Sequence, residues 1–180
     1  MKQLKSYINI RKKPSIIKVT DENMFIIVMS ELDKLGNDAD LNHIDTSEVT
    51  NMAMLFDGNI VGKLADKSNV LNPDISKWNV SNVTNMDYMF QWCKKFNCDI
   101  SEWDVSNVTS MNRMFKGCLE FNQPIGSWNV SKVRTMNSIF FKCEKFYQDL
   151  SSWTPDCRET DYRMFDDCPI KKEWKPKFKK

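Results

Sequence analysis

The hydrophobic and polar positions of the chain repeat with a period of 25 residues over its second half. The repeated aromatic and sulfur positions are Trp78, Trp103, Trp128 and Trp153; Phe90, Phe115, Phe140 and Phe165; and Cys93, Cys118, Cys143 and Cys168. A period between 20 and 50 residues is typical of stacked units that bury their apolar faces against their neighbours. The pattern therefore predicts a solenoid, an architecture that usually presents a binding surface.

An earlier unit lies ahead of the first tryptophan. Residues 44–52 align with residues 78–86, and Phe56 then aligns with Phe90. The spacing between these two units is 34 residues instead of 25, so the first unit contains nine extra residues. Insertions in repeat proteins map to loops. We therefore expect an insertion loop within residues 57–70.

The apolar spacing changes within each unit. Met86, Met89, Phe90 and Cys93 stand at i, i+3, i+4 and i+7, which is the pattern of one face of a helix. The short segment 75–80 carries Ile, Trp and Val and predicts a strand. The predicted fold class is therefore α/β: a solenoid of about five strand–helix coils, with a parallel sheet on one side and a row of helices on the other.

The two ends of the repeat array are predicted to be covered. Apolar residues from Met24 to Leu35 approximate a helical stripe, and Gly36 is a plausible helix stop. In the last unit, Pro155 and Asp161 replace apolar consensus residues, as a terminal cap requires. The predicted organisation is a basic arm (1–19), a capping helix (20–37), the repeat solenoid (38–170) and a basic tail (171–180).

Charge is distributed unevenly along the chain. The net charge is +2, but residues 1–18 contain six basic residues and no acid, and residues 171–180 contain six lysines and one acid. The body between them carries 14 basic and 23 acidic residues, a net charge of −9. An acidic body is a poor nucleic-acid ligand, because phosphate contacts dominate that affinity. It suits a protein partner with a basic surface.

Catalytic chemistry is poorly represented in the sequence. His43 is the single histidine, only five glycines are present, and neither a phosphate-binding loop nor a recurring carboxylate pair is found. One cysteine per unit is the spacing of core residues in neighbouring coils and is too wide for a disulfide or a zinc site. We therefore predict no enzyme, no catalytic residue, no cofactor and no metal site. No apolar stretch is long enough to span a membrane.

Positions that depart from the repeat are the best candidates for binding, because they have no duty to the fold. Aromatic residues and arginine dominate the energetic centres of protein interfaces. The candidate positions on the predicted helix side are Tyr88, Trp92, Arg113 and Phe141. The strand positions Asn79, Asp104 and Asn129 line the other face and form a second candidate surface. The alternative for Trp92 is that it packs beneath the insertion loop.

Segments 100–109 and 121–131 both carry the pattern I-x-x-W-x-V-S and closely resemble the BspA-like leucine-rich-repeat family, a bacterial surface-protein repeat of about 25 residues. The resemblance covers roughly residues 40–168. It implies a right-handed, leucine-rich-repeat-like solenoid that acts in adhesion or protein binding. The family has no common catalytic residues to transfer to this chain.

The first 19 residues contain no apolar run of signal-peptide length, so we expect a cytoplasmic protein. The predicted function is a non-enzymatic protein–protein interaction module, in the host cytoplasm if it is a phage- or virus-encoded inhibitor of a host protein. One alternative is a surface adhesin on the cell exterior, with its export signal absent from this chain. A second alternative is nucleic-acid binding through the basic termini.

Overall fold

Regular secondary structure is sparse in the computed structural model, which describes residues 15–65, 70–157 and 163–178. The helices and strands in chain order are β1 (Ile17–Lys18), α1 (Met24–Leu35), β2 (Ile44–Asp45) and α2 (Gly58–Ala65). The two strands pair in parallel, with Ile17 opposite Ile44. Two short 3-10 helices lie at Ile125–Ser127 and Lys172–Trp174.

The predicted α/β solenoid of five strand–helix coils is wrong. The described residues contain two α-helices and two short parallel strands, all before residue 66, and the repeats contribute only isolated parallel bridges such as Asn85 with Ser110. In each of the last four units, the segment at the predicted helix position instead contains two residues with positive φ. In the second unit these are Tyr88, at +61°, and Trp92, at +60°. Left-handed residues at this spacing prevent a right-handed helix.

The helix-like spacing arises from a run of tight turns. The N–H of Met89 donates to the carbonyl of Met86 (3.3 Å), that of Gln91 to Tyr88 (3.1 Å), and that of Cys93 to Phe90 (2.9 Å). Each turn reverses the chain locally and returns an apolar side chain to the interior. The result has the apolar spacing of a helix without its hydrogen bonds.

Neighbouring units are joined by backbone hydrogen bonds, and those at the turns form a ladder that runs in one direction. Alternate N–H groups of one unit donate to carbonyls of the next: Met86 to Ser110, Tyr88 to Asn112, Phe90 to Met114 and Trp92 to Lys116, at 2.7–2.9 Å. The same four positions repeat this pattern between the third and fourth units. At the turns, donors therefore face the C-terminal end of the stack and acceptors face its N-terminal end. Before the turns the direction is reversed, since the N–H of Thr109 donates to the carbonyl of Thr84 (2.8 Å).

Aromatic columns fill the core. One column consists of Phe56, Phe90, Phe115, Phe140 and Phe165, whose neighbouring ring centroids are 5.5–5.8 Å apart and nearly parallel. The buried tryptophans satisfy their polar atom by donating to an earlier unit, as Trp103 Nε1 does to the carbonyl of Ile75 at 3.3 Å. Burying each indole therefore leaves no donor unpaired.

The repeated cysteines are core residues that also bond between units. The thiol of Cys93 donates to the carbonyl of Phe56 (2.8 Å), that of Cys118 to Phe90 (3.0 Å), and that of Cys143 to Phe115 (2.9 Å). Burial raises the pKa of all three thiols well above the usual value, so they remain protonated.

The N-terminal end of the stack is covered by α1, which buries Met24, Val28 and Leu32. Gly36, at φ +100°, follows its last residue. The carboxylate of Asp21 does not cap this helix; it accepts hydrogen bonds from the N–H groups of Thr50 (2.8 Å) and Asn51 (3.0 Å). Asp21 thereby ties the segment before the helix to the first unit.

Two segments lie outside the repeated pattern: the insertion within residues 57–70 and the C-terminal segment 170–178. The last segment folds back over the C-terminal end, where the N–H of Leu150 donates to the carbonyl of Trp174 (2.8 Å) and that of Lys177 to Trp153 (3.1 Å). The insertion contains α2. Residues 66–69 of the insertion, residues 1–14 of the basic arm, residues 158–162 and the last two lysines of the tail lie outside the described residues.

Candidate functional site

A group of cationic and aromatic side chains gathers at the turns of successive units. We call it the Lys116 cluster, and it consists of Tyr88, Trp92, Arg113, Lys116, Phe141, Lys142 and Arg163. Its members occupy three equivalent positions of the repeat, those of Tyr88, Gln91 and Trp92. Stacking the units at a period of 25 residues brings these positions together although they are far apart in sequence.

Cations lie over the aromatic rings throughout the cluster. Arg113 Cζ is 5.4 Å from the ring centroid of Tyr88, and Lys116 Nζ is 5.6 Å from that of Trp92 and 5.2 Å from that of Phe141. Arg163 Cζ lies 4.6 Å from the Phe141 centroid. These separations are within the range of cation–π attraction, about 6 Å. Lys116 therefore links the aromatic residues of two different units.

Trp92 fits into the cluster because the equivalent residue in the next unit is glycine. A Cβ on Gly117 would lie closer than 3.0 Å to three ring atoms of Trp92. The following units carry Lys142 and Asp167 at this position, where no large ring precedes them. The ring of Trp92 thus packs against the following unit.

The cluster concentrates positive charge on an acidic body. Burial, and then the nearby Arg113, Arg163 and Lys142, lower the pKa of Lys116 from its usual value. The acid paired within this group is Asp166, whose Oδ2 lies 2.9 Å from Arg163 Nε. The four cations outnumber two carboxylates, that of Asp166, which is paired with Arg163, and that of Asp167 at the position equivalent to Trp92, so the cluster is a local positive region.

The structure brings together four of the seven residues that were singled out in the sequence. Tyr88 and Trp92 are half-buried and Arg113 is exposed. Phe141 is only 8% exposed. The reason is that Lys116, Lys142 and Arg163 all lie over its ring.

The other three residues have local roles in turns. The side-chain oxygen of Asn79 accepts from the N–H of Ser81 (3.1 Å), Asp104 accepts from Ser106 (3.0 Å), and Asn129 accepts from Ser131 (3.1 Å). All three side chains are exposed. None of the contacts described for them reaches the Lys116 cluster.

Lys116, Lys142 and Arg163 are members that sequence reasoning did not select. A charged residue at a surface position of a repeat is ordinary, and nothing in its own sequence context distinguishes it. A signal was nevertheless present. The positions equivalent to Tyr88, Gln91 and Trp92 include four cations across three consecutive units, a concentration visible only when the units are aligned.

His43 does not contribute to this site. Its Nε2 lies 3.1 Å from Oε2 of Glu31, and both residues are buried between α1 and the first unit. Within residues 15–65, 70–157 and 163–178, no group of three histidine, cysteine or acidic residues is arranged to hold a metal ion.

Comparison with known proteins identifies a family but no function. The model of a family described as "Mycoplasma protein of unknown function, DUF285" matches residues 60–175. This match covers more than half of the chain, which therefore belongs to that family. No curated protein and no solved structure matches the chain. Among the described residues, no helix has the length and apolar character needed to cross a membrane.

Proposed function

We propose that this member of a family of unknown function is a non-enzymatic protein-binding module, and that its partner binds at the Lys116 cluster. The observation that carries the proposal is the gathering of Tyr88, Trp92 and Arg113 around Lys116. Aromatic residues and arginine, half-buried on a rigid support, are the residue types that dominate interface energies.

The chemistry of the cluster indicates an acidic partner surface at the point of contact. The sequence alone favoured a basic partner, because the body has a net charge of −9. Four cations in one region reverse that expectation locally. An acidic patch would be attracted by the cluster and repelled by the surrounding body, which would restrict the orientations in which the partner docks.

Single-stranded nucleic acid is the competing ligand for a surface of cations and aromatic rings, because bases stack on exposed ring faces. The geometry of the Lys116 cluster favours a protein over a nucleic acid as its ligand. Phe141 is 8% exposed beneath three cations, and the ring of Trp92 lies against Gly117. Few ring faces are therefore open to a base, and the acidic body opposes a polyanion that extends beyond the cluster.

The family resemblance and the cellular setting are parts of the same proposal. A BspA-like repeat protein that binds other proteins is consistent with the 25-residue units. An intracellular inhibitor of a host protein, encoded by a phage or virus, fits this resemblance, and a surface adhesin is the alternative setting.

The test compares capture by matched variants. Tagged full-length protein is incubated with lysate, with and without nuclease treatment, and the proteins bound by the wild type are compared with those bound by Trp92→Ala and Lys116→Glu. Lys132→Glu is the charge-matched control, because Lys132 is a lysine outside the cluster that contacts Asn107. Thermal unfolding of each variant shows that the fold is retained.

The proposal predicts a specific protein that both cluster variants lose and the control retains. Its affinity, measured with the purified partner, should fall with ionic strength because the contact is electrostatic. Equal capture by all four proteins would remove the Lys116 cluster from the binding surface. Binding that nuclease abolishes would instead assign the surface to nucleic acid.

A further inference from the structure

The one-directional ladder ends at Phe165 and Asp167. The N–H of Phe140 donates to the carbonyl of Met164 (3.1 Å), and that of Lys142 donates to Asp166 (2.8 Å). Phe165 and Asp167 are the residues equivalent to these two donors, one unit later. The segment 170–178 folds back over this end of the stack, and within the described part of the chain neither N–H has a hydrogen-bond partner.

A cavity lies at this end of the stack, and Phe165, the first of the two donors, lines it. We call it the end cavity; its volume is about 440 Å³, and its lining residues are Arg163, Met164, Phe165, Asp166, Lys172, Lys175, Pro176 and Phe178. The first four belong to the last unit and the others to the segment that folds back over it. That segment bonds to Leu150 and Trp153. It therefore covers the tryptophan side of the unit and leaves the turn side open.

The end cavity is lined by positive charge. Lys175 Nζ lies 5.0 Å above the ring centroid of Phe165, and Lys172 and Arg163 also line the wall. The acid of the lining, Asp166, is paired with Arg163 at 2.9 Å. Two lysines therefore remain over the end of a donor row. The N–H groups of Phe165 and Asp167 are alternate donors of the same row, as those of Phe140 and Lys142 are one unit earlier, so two neighbouring oxygens of one ligand can accept from them.

We propose that the end cavity binds a phosphate-like oxyanion, which accepts hydrogen bonds from the N–H groups of Phe165 and Asp167 and is neutralised by Lys172 and Lys175. The ligand is free inorganic phosphate or a phosphorylated side chain of a partner protein, since both present the same oxygens. A neutral peptide strand added to the ladder would also satisfy the two donors, but it would gain little from the lysines. Charge therefore favours the oxyanion.

This inference is independent of the Lys116 cluster as a partner surface, although Arg163 belongs to both. The end cavity lies at the terminus of the stack, and its lysines are not members of the cluster. A failure to detect phosphate binding would not affect the proposed protein-binding function. A failure to find a protein partner would not affect the proposal that the end cavity binds an oxyanion. The variants used for each test do not overlap.

The experiment is a phosphate titration of ¹⁵N-labelled full-length protein at constant ionic strength, with chloride as the reference salt. The expected result is a saturable shift of the Phe165 and Asp167 amide signals. The amides of Phe140 and Lys142 are internal controls, because their N–H groups already have partners. Replacing both lysines (Lys172→Gln with Lys175→Gln) should weaken binding by about tenfold or more, and Lys132→Gln should leave it unchanged.

Three outcomes would overturn the proposal: shifts that do not saturate, equal shifts in the double variant, and equal shifts at the control amides. Peptides distinguish the two sources of the oxyanion. A phosphoserine peptide that binds more tightly than inorganic phosphate identifies the ligand as a modified partner, whereas equal affinities identify the free ion. If an unphosphorylated peptide produces the same shifts, the ligand of the end cavity is a peptide strand added to the ladder, and the oxyanion proposal is wrong.

Discussion

The indole of Trp92 occupies the space that a side chain on Gly117 would need. A Cβ at residue 117 would lie closer than 3.0 Å to Cε3, Cζ3 and Cδ2 of Trp92. Gly117 also has φ +75°, a conformation that glycine adopts without steric cost. The two departures from the repeat, a large residue at 92 and the smallest at 117, are thus a complementary pair.

Gly117→Ala should destabilise the protein for two separable reasons. The left-handed backbone costs alanine about 1 kcal/mol relative to glycine, and the clash with Trp92 adds to this. Urea unfolding measures the total. In a double-mutant cycle with Trp92→Ala, the clash disappears and the backbone cost remains, so the two changes together should cost less than their sum. Strict additivity would show that the indole does not contact residue 117.

Trp103→Ala should destabilise the protein by about 3–5 kcal/mol, as expected for a buried aromatic residue. Trp103 is 4% exposed and its N–H is bonded to Ile75. Trp92→Ala is the matched control, because this half-buried tryptophan lies at the surface and should cost far less. Equilibrium unfolding in urea compares the two. If the Trp103→Ala protein does not fold, Trp103→Phe gives a milder truncation at the same position. Equal costs at residues 92 and 103 would contradict the assignment of Trp103 to the core.

The six thiols should react with iodoacetamide in two groups. Cys93, Cys118 and Cys143 are buried and protonated, because burial raises their pKa values, so they should be labelled only on unfolding. The partly exposed thiols, Cys98, Cys157 and Cys168, should be labelled earlier. Burial raises the pKa of Cys168 to about 11, which should slow its reaction near neutral pH. Mass spectrometry of peptides after timed labelling gives the order. Early labelling of any of the three buried thiols would contradict their placement in the core.

Acid should loosen the contact between α1 and the first unit. The hydrogen bond from Lys34, followed by that from His43, holds the pKa of Glu31 below its usual value of 4.5. A carboxylate whose pKa is lower in the folded state stabilises the protein above the unfolded value, and this contribution disappears as the pH falls through the folded value. The urea midpoint of the wild type should therefore drop below about pH 4.5 more steeply than that of Glu31→Gln. Parallel pH profiles of the two proteins would refute this linkage.

The interior of this protein was largely predictable, and its secondary structure was not. The repeat identified Trp103, Phe115 and Cys118 as buried, because a position that recurs every 25 residues must face the same surroundings in each unit. The helix prediction failed because tight turns produce the same apolar spacing. Tyr88 and Trp92 have positive φ, a conformation more typical of glycine or asparagine, so nothing in their chemistry revealed the turns.

The Lys116 cluster was half predictable for a related reason. Tyr88 and Trp92 were found as departures from the repeat, which is a property of single positions. Lys116 gains its significance from what surrounds it: Trp92 one unit before and Phe141 one unit after. That neighbourhood depends on the register and closeness of the stack, which the alignment of units does not provide.

Every hydrogen bond of the ladder runs toward the C-terminal end, and this makes the units interchangeable. If residues 101–125 were excised, the N–H of Met86 would meet the carbonyl of Thr135 in place of that of Ser110, the same atom in an equivalent unit. A duplicated unit would find its donors and acceptors already matched on both sides. The chain is in this sense a polymer of 25-residue monomers, whose length can change by whole units without a new kind of junction.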